Sequence, residues 1–407
     1  MSNATREVER IARLAYGQLV ARLAARTERI AEAEDALSDA LLRALETWPT
    51  RGVPPNPEAW LITTARRRIT DRYRSAQLST TYEQELTILA TAQDAPPGKM
   101  DPRIGLMFAC AHPAIDAKMR APLLLQTVLG LDARRMASVF LTSPAALGQA
   151  LSRAKRKIEE AGIGFERPEE VGAYPDRIDD ILNAVYAAYA VGHNASGGGD
   201  DKAGALAQEA LWLVSTICDA LPDASEAHGL FALILFTEAR AAARLDPQTS
   251  ALVPLVEQDT ALWHPEMLAD AEAALANARR HLSLGRFQLE AAIQAVHAHR
   301  RITGQTDWAE LAQLYSGLTH ITGSLGARVG QAAVALEADG PARALELLEA
   351  CATRATDYQP WFATAAHAHA RLGQTDAALG AFEHAIGLTS DPAARAYLAA
   401  KRAALTH

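Results

Sequence analysis

The sequence predicts an all-α protein with two small helical domains, the second a helix-turn-helix, joined by a linker and followed by a helical-repeat domain. Three observations carry this. Alanine with scattered leucine dominates, aromatic content is only 6%, and runs of β-branched residues are almost absent. Apolar residues recur at i, i+3 and i+4 along most of the 407-residue chain. A sequence pattern near the C-terminus repeats after 34 residues.

Composition bounds the rest. At about 150 residues per domain the length suggests two to four folded units, and a 49% hydrophobic content supplies cores for them. Cys110, Cys218 and Cys351 lie far apart with no paired spacing, which argues against a cysteine zinc site and a disulfide framework. The N-terminal MSNATREVER has no apolar segment of the signal-peptide kind, and no stretch approaches the ~20 apolar residues of a membrane span, so a cytoplasmic location is expected. The net charge of −8 is unevenly spread: residues 1–163 carry +5 and residues 164–407 carry −13. A basic front joined to an acidic back reads as a polyanion-binding part attached to one that binds no polyanion.

The first segment, residues 1–75, is helical in pattern with one proline-rich break at Trp48–Trp60. Around Ala33–Trp48, the residues Ala33, Leu37, Leu41, Ala44, Leu45 and Trp48 share one face, leaving Glu34, Asp35, Asp39 and Glu46 away from it. Asn56 before Pro57 is a helix start, with a capping side chain and a proline at the first helical position. In the helix Pro57–Ser75 the stripe Ile62, Ala65, Ile69 and Tyr73 is expected to be buried. Trp60, Thr64, Arg67, Asp71 and Arg74 fall opposite, with Thr63 and Arg68 at the borders. An Arg-rich face is more often simply solvated. Here a Trp and two Thr stand among the arginines, and that mixture suits phosphate contacts plus stacking on an unpaired base.

Residues 76–102 lose periodicity and end in Pro-Pro-Gly-Lys-Met-Asp-Pro, which reads as a linker. Residues 103–163 regain it. A helix over Ala121–Gly130, a short one over Asp132–Phe140 and a turn at Leu141-Thr142-Ser143 lead to a helix that Ser143 caps and that runs from Pro144 to Ala161. Leu147, Ala150, Leu151, Ala154 and Ile158 point inward; Gln149, Ser152, Arg153 and Arg156 point outward, flanked by Lys155 and Lys157. Such a helix fits a major groove, with Gln149 and Arg153 near base edges and the lysines on phosphates. From Tyr174 onward the chain is Ala-rich and helical. There the 34-residue period superposes Ala344 on Ala378, Leu345 on Leu379 and Leu348 on Phe382, the tetratricopeptide pattern of paired helices in close approach.

Other constellations carry no chemistry. Eleven of the twelve histidines follow residue 190, but His297/His299 and His367/His369 are two apart on helices and point to different faces. The Gly run Ser196–Gly199 has no preceding strand and no lysine, so it is a loop and not a phosphate cradle. No nucleophile–base set stands out. Neither an enzyme nor a cofactor is expected.

AEAEDALSDALLRALETWP, NPEAWLITTARRRITDRYR, MFACAHPAIDAKMRAPLLLQTVLGL and FLTSPAALGQALSRAKRKIEEAGI together resemble an extracytoplasmic-function (ECF) RNA polymerase sigma factor. RIDDILNAVYAAYAVG, LVEQDTALWHPEML, GRFQLEAAIQAVHA, TDWAELAQLY and ADGPARALELLEA resemble the C-terminal extension of the subgroup that carries tetratricopeptide-like helices. The resemblance implies sigma domain two over 1–75, the linker over 76–102, sigma domain four over 103–163 and the extension over 174–407. It implies docking on core RNA polymerase through Glu34, Asp35, Leu37, Asp39, Leu41 and Leu42. It further implies reading and melting of the minus-ten element through Asn56, Trp60, Thr63, Thr64, Arg67, Arg68, Asp71 and Arg74. Ser143, Gln149, Ser152, Arg153, Lys155, Arg156 and Lys157 would read the minus-thirty-five element. The subgroup also implies a small partner protein with a DGPF motif, related to YCII-type proteins. Three departures stand out: Arg135-Met136-Ala137 replaces Glu-Ile-Ala, Ala150 replaces Arg, and Tyr189-Ala190-Val191-Gly192-His193 replaces Phe-Asn-Glu-Gly-Tyr.

Two other readings stay open on the residues alone. One is a stand-alone helix-turn-helix regulator with a helical effector domain, which would bind an operator without polymerase. The other is a tetratricopeptide scaffold whose basic front is incidental. A scaffold needs no arginines gathered opposite a core stripe, and a simple repressor needs one reading domain where this chain has two dissimilar ones.

Overall fold

Helices joined by short turns account for nearly all regular structure in the computed structural model, which describes residues 3–27, 29–75, 101–137, 140, 142–165, 177–195, 201–280 and 283–406. The fold is all-α. Among the described residues the extended backbone pairs only at an isolated antiparallel bridge between Leu245 and Leu252. The chain divides into two compact units, Met1–His193 with Lys202–Leu221, and Asn194–Asp201 with Pro222–His407. The expected linker, apart from Asp101 and Pro102, and the Gly run Ser196–Gly199 lie outside the described residues.

In the first unit α1 (Asn3–Leu14), α2 (Tyr16–Thr27), α3 (Ile30–Arg51) and α4 (Pro57–Ser75) pack together. The buried face of α3 is Ile30, Ala33, Glu34, Ala36, Leu37, Ala40, Ala44 and Trp48. It is rotated from the expected stripe: Leu41 is half-buried and Leu45 is 40% exposed. Three neighbouring helices crowd α3, and the small side chains of Ala36 and Ala40 let them approach closely, whereas a leucine seam would hold them apart. In α4, Ile62, Ala65 and Ile69 are buried as the periodicity implies, and Leu61, outside the expected stripe, is buried with them; the Tyr73 side chain is outside the described residues.

The same unit continues with α5 (Arg103–Cys110), α6 (Ala117–Leu129), α7 (Ala133–Met136) and α8 (Pro144–Glu160). The Asp116 carboxylate caps α6 by accepting from Lys118 N at 3.1 Å, and Gly130 closes it in the left-handed region at φ 64°. Of the expected second helix Asp132–Phe140, α7 covers Ala133–Met136, and residues 138 and 139 lie outside the described residues. After it, α9 (Ile178–Ala195) and α10 (Asp201–Ala220) belong to this unit, although the sequence boundary at 174 assigns them to the C-terminal part. Ionic contacts explain the difference. Arg120 pairs with Asp180 at 2.6 Å, Arg103 pairs with Glu209 at 2.5 Å, and the Arg103 guanidinium lies 3.8 Å over the Trp212 ring. Arg177 donates to the Phe108 carbonyl at 3.2 Å.

The second unit is a series of helix pairs: α11 (Ser225–Glu238), α12 (Pro265–Ala278), α13 (Arg286–Thr303), α14 (Trp308–Thr322), α15 (Leu325–Ala338), α16 (Pro341–Glu349), α17 (Gln359–Arg371), α18 (Thr375–Leu388) and α19 (Pro392–Ala403). Each packs on the next in chain order from α13 to α19. Burial follows the 34-residue period: Ala344 and Ala378 are fully buried, Leu348 and Phe382 are 1% exposed, and Leu345 and Leu379 are half-buried. At the α11–α13 crossing Gly229 is required, since a Cβ there would sit 2.7 Å from the Gln288 amide nitrogen. The Glu226 carboxylate of α11 accepts from Phe287 N and Gln288 N at 2.9 and 3.1 Å, so a neighbouring helix caps α13 where its own Gly285 cannot.

Candidate nucleic-acid interface

The α4 helix begins where the sequence implies. Asn56 Oδ1 accepts from Ala59 N at 3.1 Å, and Pro57, which lacks an N–H, opens the helix. Thr63, Arg67, Arg68 and Asp71 are exposed and Thr64 is half-buried; the Arg74 side chain lies outside the described residues. Trp60 is not the free platform its position suggests. It is half-buried with its ring edge-on to Trp48, centroids 5.5 Å apart and planes at 67°, so a base reaches it only at the outer face.

Acids of α3 organise the arginines of α4. Arg68 Nε donates to Asp39 at 2.8 Å, and Arg72 reaches Asp35 at 3.4 Å and Asp39 at 3.6 Å. All four side chains are at least a third exposed, so each pair contributes at most about 1 kcal/mol and serves mainly to orient the guanidinium groups. Arg67 has no carboxylate partner among the described residues. Arg66 has no role in the sequence reading, yet burial and the like charges of Arg26 and Arg22 lower its pKa, which marks a cationic cluster between α2 and α4. The signal for it was present as Arg22 and Arg26 one turn apart, but only the packing of α2 on α4 adds Arg66.

On α3 the residues expected to meet polymerase fall into three environments. Leu42 is 60% exposed and, with Leu45, forms an apolar patch next to half-buried Leu41. Asp35 and Asp39 face α4. Leu37 is fully buried and Glu34 is 7% exposed, so both belong to the interior of this unit.

The α8 helix also starts on a capping residue followed by proline, with Ser143 Oγ accepting from Ala146 N at 3.2 Å. Leu147, Leu151, Ala154 and Ile158 are buried and Ala150 is half-buried. Gln149, Ser152, Arg153, Arg156 and Lys157 are exposed along the outer face. Arg156 pairs within its helix to Glu160 at 3.5 Å, and Ser152 Oγ donates to the Gly148 carbonyl at 3.0 Å. Lys155 differs from its expected phosphate role: it is half-buried, and its Nζ lies 2.9 Å from the Glu34 carboxylate of α3. That pair joins residues 121 positions apart, beyond the reach of any local pattern. The Arg135 side chain and Leu141 of the preceding turn are outside the described residues, while Met136 and Ala137 are buried.

Two helices with cationic outer faces, both capped and both seated on leucine- or alanine-lined cores, form the candidate interface. Residues 13–78, spanning α2 to α4, match the family described as sigma-70 region 2. The N-terminal part of the chain is thus a sigma-70 region 2, as in sigma-70 family factors. Members of that family are non-enzymatic transcription factors that act in promoter recognition, binding core RNA polymerase and promoter DNA. Residues 177–279 match a family of unknown function, DUF6596. An uncharacterized protein of Rhizobium meliloti (strain 1021) is 33% identical over 374 residues, covering 90% of this chain and 88% of its own length, and the two are members of one family. No solved structure matches. No helix among the described residues is long and apolar enough to cross a membrane.

Proposed function

We propose that this sigma-70 protein is an alternative sigma factor of ECF type, in which α4 reads and melts the minus-ten element and α8 reads the minus-thirty-five element. The observation that carries the reading is the region 2 match over α2–α4 coinciding with an exposed Thr63–Arg67–Asp71 face, backed by the capped, cationic α8. Melting requires a surface that takes an unpaired base, and the outer face of Trp60 beside Arg67 offers stacking with phosphate charge. The Leu42–Leu45 patch of α3 is the docking surface for core polymerase, with Asp35 and Asp39 at its edge. Gln149 and Arg153 face bases, and Arg156 and Lys157 face phosphates. The acidic helical pairs of the second unit regulate this activity. The sequence resemblance supports a small DGPF-motif, YCII-related protein as their partner.

Run-off transcription with purified core polymerase tests the reading. The full chain is expected to give promoter-specific transcripts absent from core alone. Transcripts unchanged from core alone, or tight binding to one operator without polymerase, would replace it with a stand-alone regulator.

A further inference from the structure

In the second unit one face of the helix pairs is taken by the chain itself. Between α11 and α12, residues 240–264 leave the helices and return, closed at the base where His264 N donates to the Ala239 carbonyl at 2.8 Å. Two arms of this strap pair where Val253 N donates to the Arg244 carbonyl and Asp246 N to that of Ala251, both at 2.9 Å. The strap then meets α19: Leu252 N donates to the Ala393 carbonyl at 3.1 Å, and Lys401 Nζ lies 3.4 Å from the Glu257 carboxylate. It also meets α13, whose Arg300 donates to the Leu255 and Gln258 carbonyls at 2.9 and 3.0 Å. One short stretch, Leu252–Gln258, thus touches the first and the last helix of the α13–α19 series, so the series curves round it. Burial, with the charge of Glu257, pushes the Tyr397 hydroxyl of α19 up to about 12, and the same carboxylate opposes the burial that lowers the pKa of His367 on α17.

The strap is held as a bound peptide is held, and not as a core is. Its main chain makes the hydrogen bonds while its side chains stay out. Val256 is 44% and Leu262 54% exposed, and no residue of the turns Leu255–Glu257 and Thr260–Leu262 is buried. Glu257 and Lys401 are both exposed, so their pair contributes at most about 1 kcal/mol. Gln258 is 8% exposed and its Oε1 has no partner among the described residues, so the seated strap leaves a buried acceptor unsatisfied. Few buried apolar contacts mark a segment of low local stability. The receiving surface is pre-set: the Arg300 guanidinium lies 5.2 Å from the centroid of the buried Trp263 ring. Residues 245–262 carry Asp246, Glu257 and Asp259 and no basic residue, which complements Arg300 and Lys401.

We propose that the face of the α13–α19 series around Arg300 and Lys401 is a docking surface for an extended acidic segment of a partner protein, and that residues 252–262 occupy it until such a segment displaces them. Arg300 takes carbonyls of the incoming chain in place of those of Leu255 and Gln258, and Lys401 takes a carboxylate in place of Glu257. The surface works this way whether or not α4 and α8 read a promoter. Apparent affinity is scaled down to the fraction of molecules whose strap is open, so loosening the strap tightens binding without adding a contact.

The test is a titration of the full chain with a fluorescent synthetic peptide of residues 250–262. Glu257→Lys, which sets two cations against each other at the strap, is expected to bind the peptide about tenfold more tightly than the wild type. Adding Lys401→Glu restores the pair with its charges swapped, and peptide binding is expected to fall back. Adding Arg300→Ala to Glu257→Lys is expected to weaken binding about tenfold, and a peptide carrying Lys in place of Glu257 is expected not to bind the wild type. A second measurement needs no variant: saturating peptide should speed hydrogen exchange at the Leu252 amide, released from Ala393, and leave the α13 amides protected. Peptide binding that is absent throughout, equal in the wild type and Glu257→Lys, or indifferent to Arg300→Ala overturns the docking surface. Equal binding of the acidic and Lys-substituted peptides overturns the acidic partner.

Discussion

The helices α4 and α8 share a local recipe and differ in what holds them. Each begins with a side-chain cap followed by proline, buries one apolar stripe and turns arginines outward. The α4 arginines are oriented by exposed acids of the adjacent α3, through Asp39 and Asp35. The α8 side of the unit is buttressed by α9 and α10, through pairs in which Arg103 is only 9% exposed and Arg120 only 19%. Exposed pairs tune a surface, and buried pairs hold a fold together, because removing one partner of a desolvated pair strands the other charge. The outward arginines of α4 are thus free to change without loss of the fold, whereas α9 and α10 are bound to α5 and α6 as part of the unit's stability.

The largest expected effect breaks that contrast directly. Ending the chain after residue 173 removes Asp180, Glu209 and Trp212 from Arg120 and Arg103, and should lower the stability of the first unit by several kcal/mol. Ending it after residue 221 keeps them and should not. Thermal unfolding of the two truncations distinguishes them. Arg103→Ala in the full chain should cost about 3 kcal/mol, since it leaves Asp101 and Glu209 without their shared cation. Arg68→Ala should change stability by less than about 1 kcal/mol in the same assay, a difference that would vanish if both regions were held alike.

An acid titration contrasts the two units. His297 of α13 is half-buried against Trp308, and burial followed by the charges of Arg240 and Arg300 lowers its pKa to about 4. The unfolded state then binds the proton more readily, so its contribution is complete above about pH 6.5 and declines as pH falls toward 4. The loss is at most about 2 kcal/mol for a half-buried ring. Denaturant unfolding of the second unit should show this slope, and His297→Phe should remove it. The smallest effect lies on the outer face of α4: under the proposed function, Arg67→Ala should lower the slope of log DNA-binding constant against log salt by about one while leaving stability unchanged.

Much of this was legible locally. Asn56-Pro57 and Ser143-Pro144 announce helix starts because capping needs only neighbouring residues, and the structure realises both. The superposition of Leu348 on Phe382 was readable because a repeat buries equivalent positions equally. Periodicity places Ala33, Leu37, Ala44 and Trp48 correctly on α3 but adds Leu41 and Leu45, because it counts leucines while packing against three helices selects the Ala36–Ala40 edge. Trp60 read as an open platform because nothing local shows that Trp48 turns back on it. Lys155 read as a phosphate contact because an exposed lysine and one aimed at a distant carboxylate have the same local pattern.

By itself the chain determined its helical class, the starts of α4 and α8, the 34-residue array and the basic-to-acidic division, all of which depend on interactions a few residues apart or on composition. Only the tertiary structure decided that α9 and α10 join the first unit, that Glu34 meets Lys155, and that Gly17, where a Cβ would meet the Val128 carbonyl oxygen, must be glycine. Those are properties of two surfaces meeting across 100 or more residues, and burial, close approach and desolvated charge exist only once both surfaces are in place.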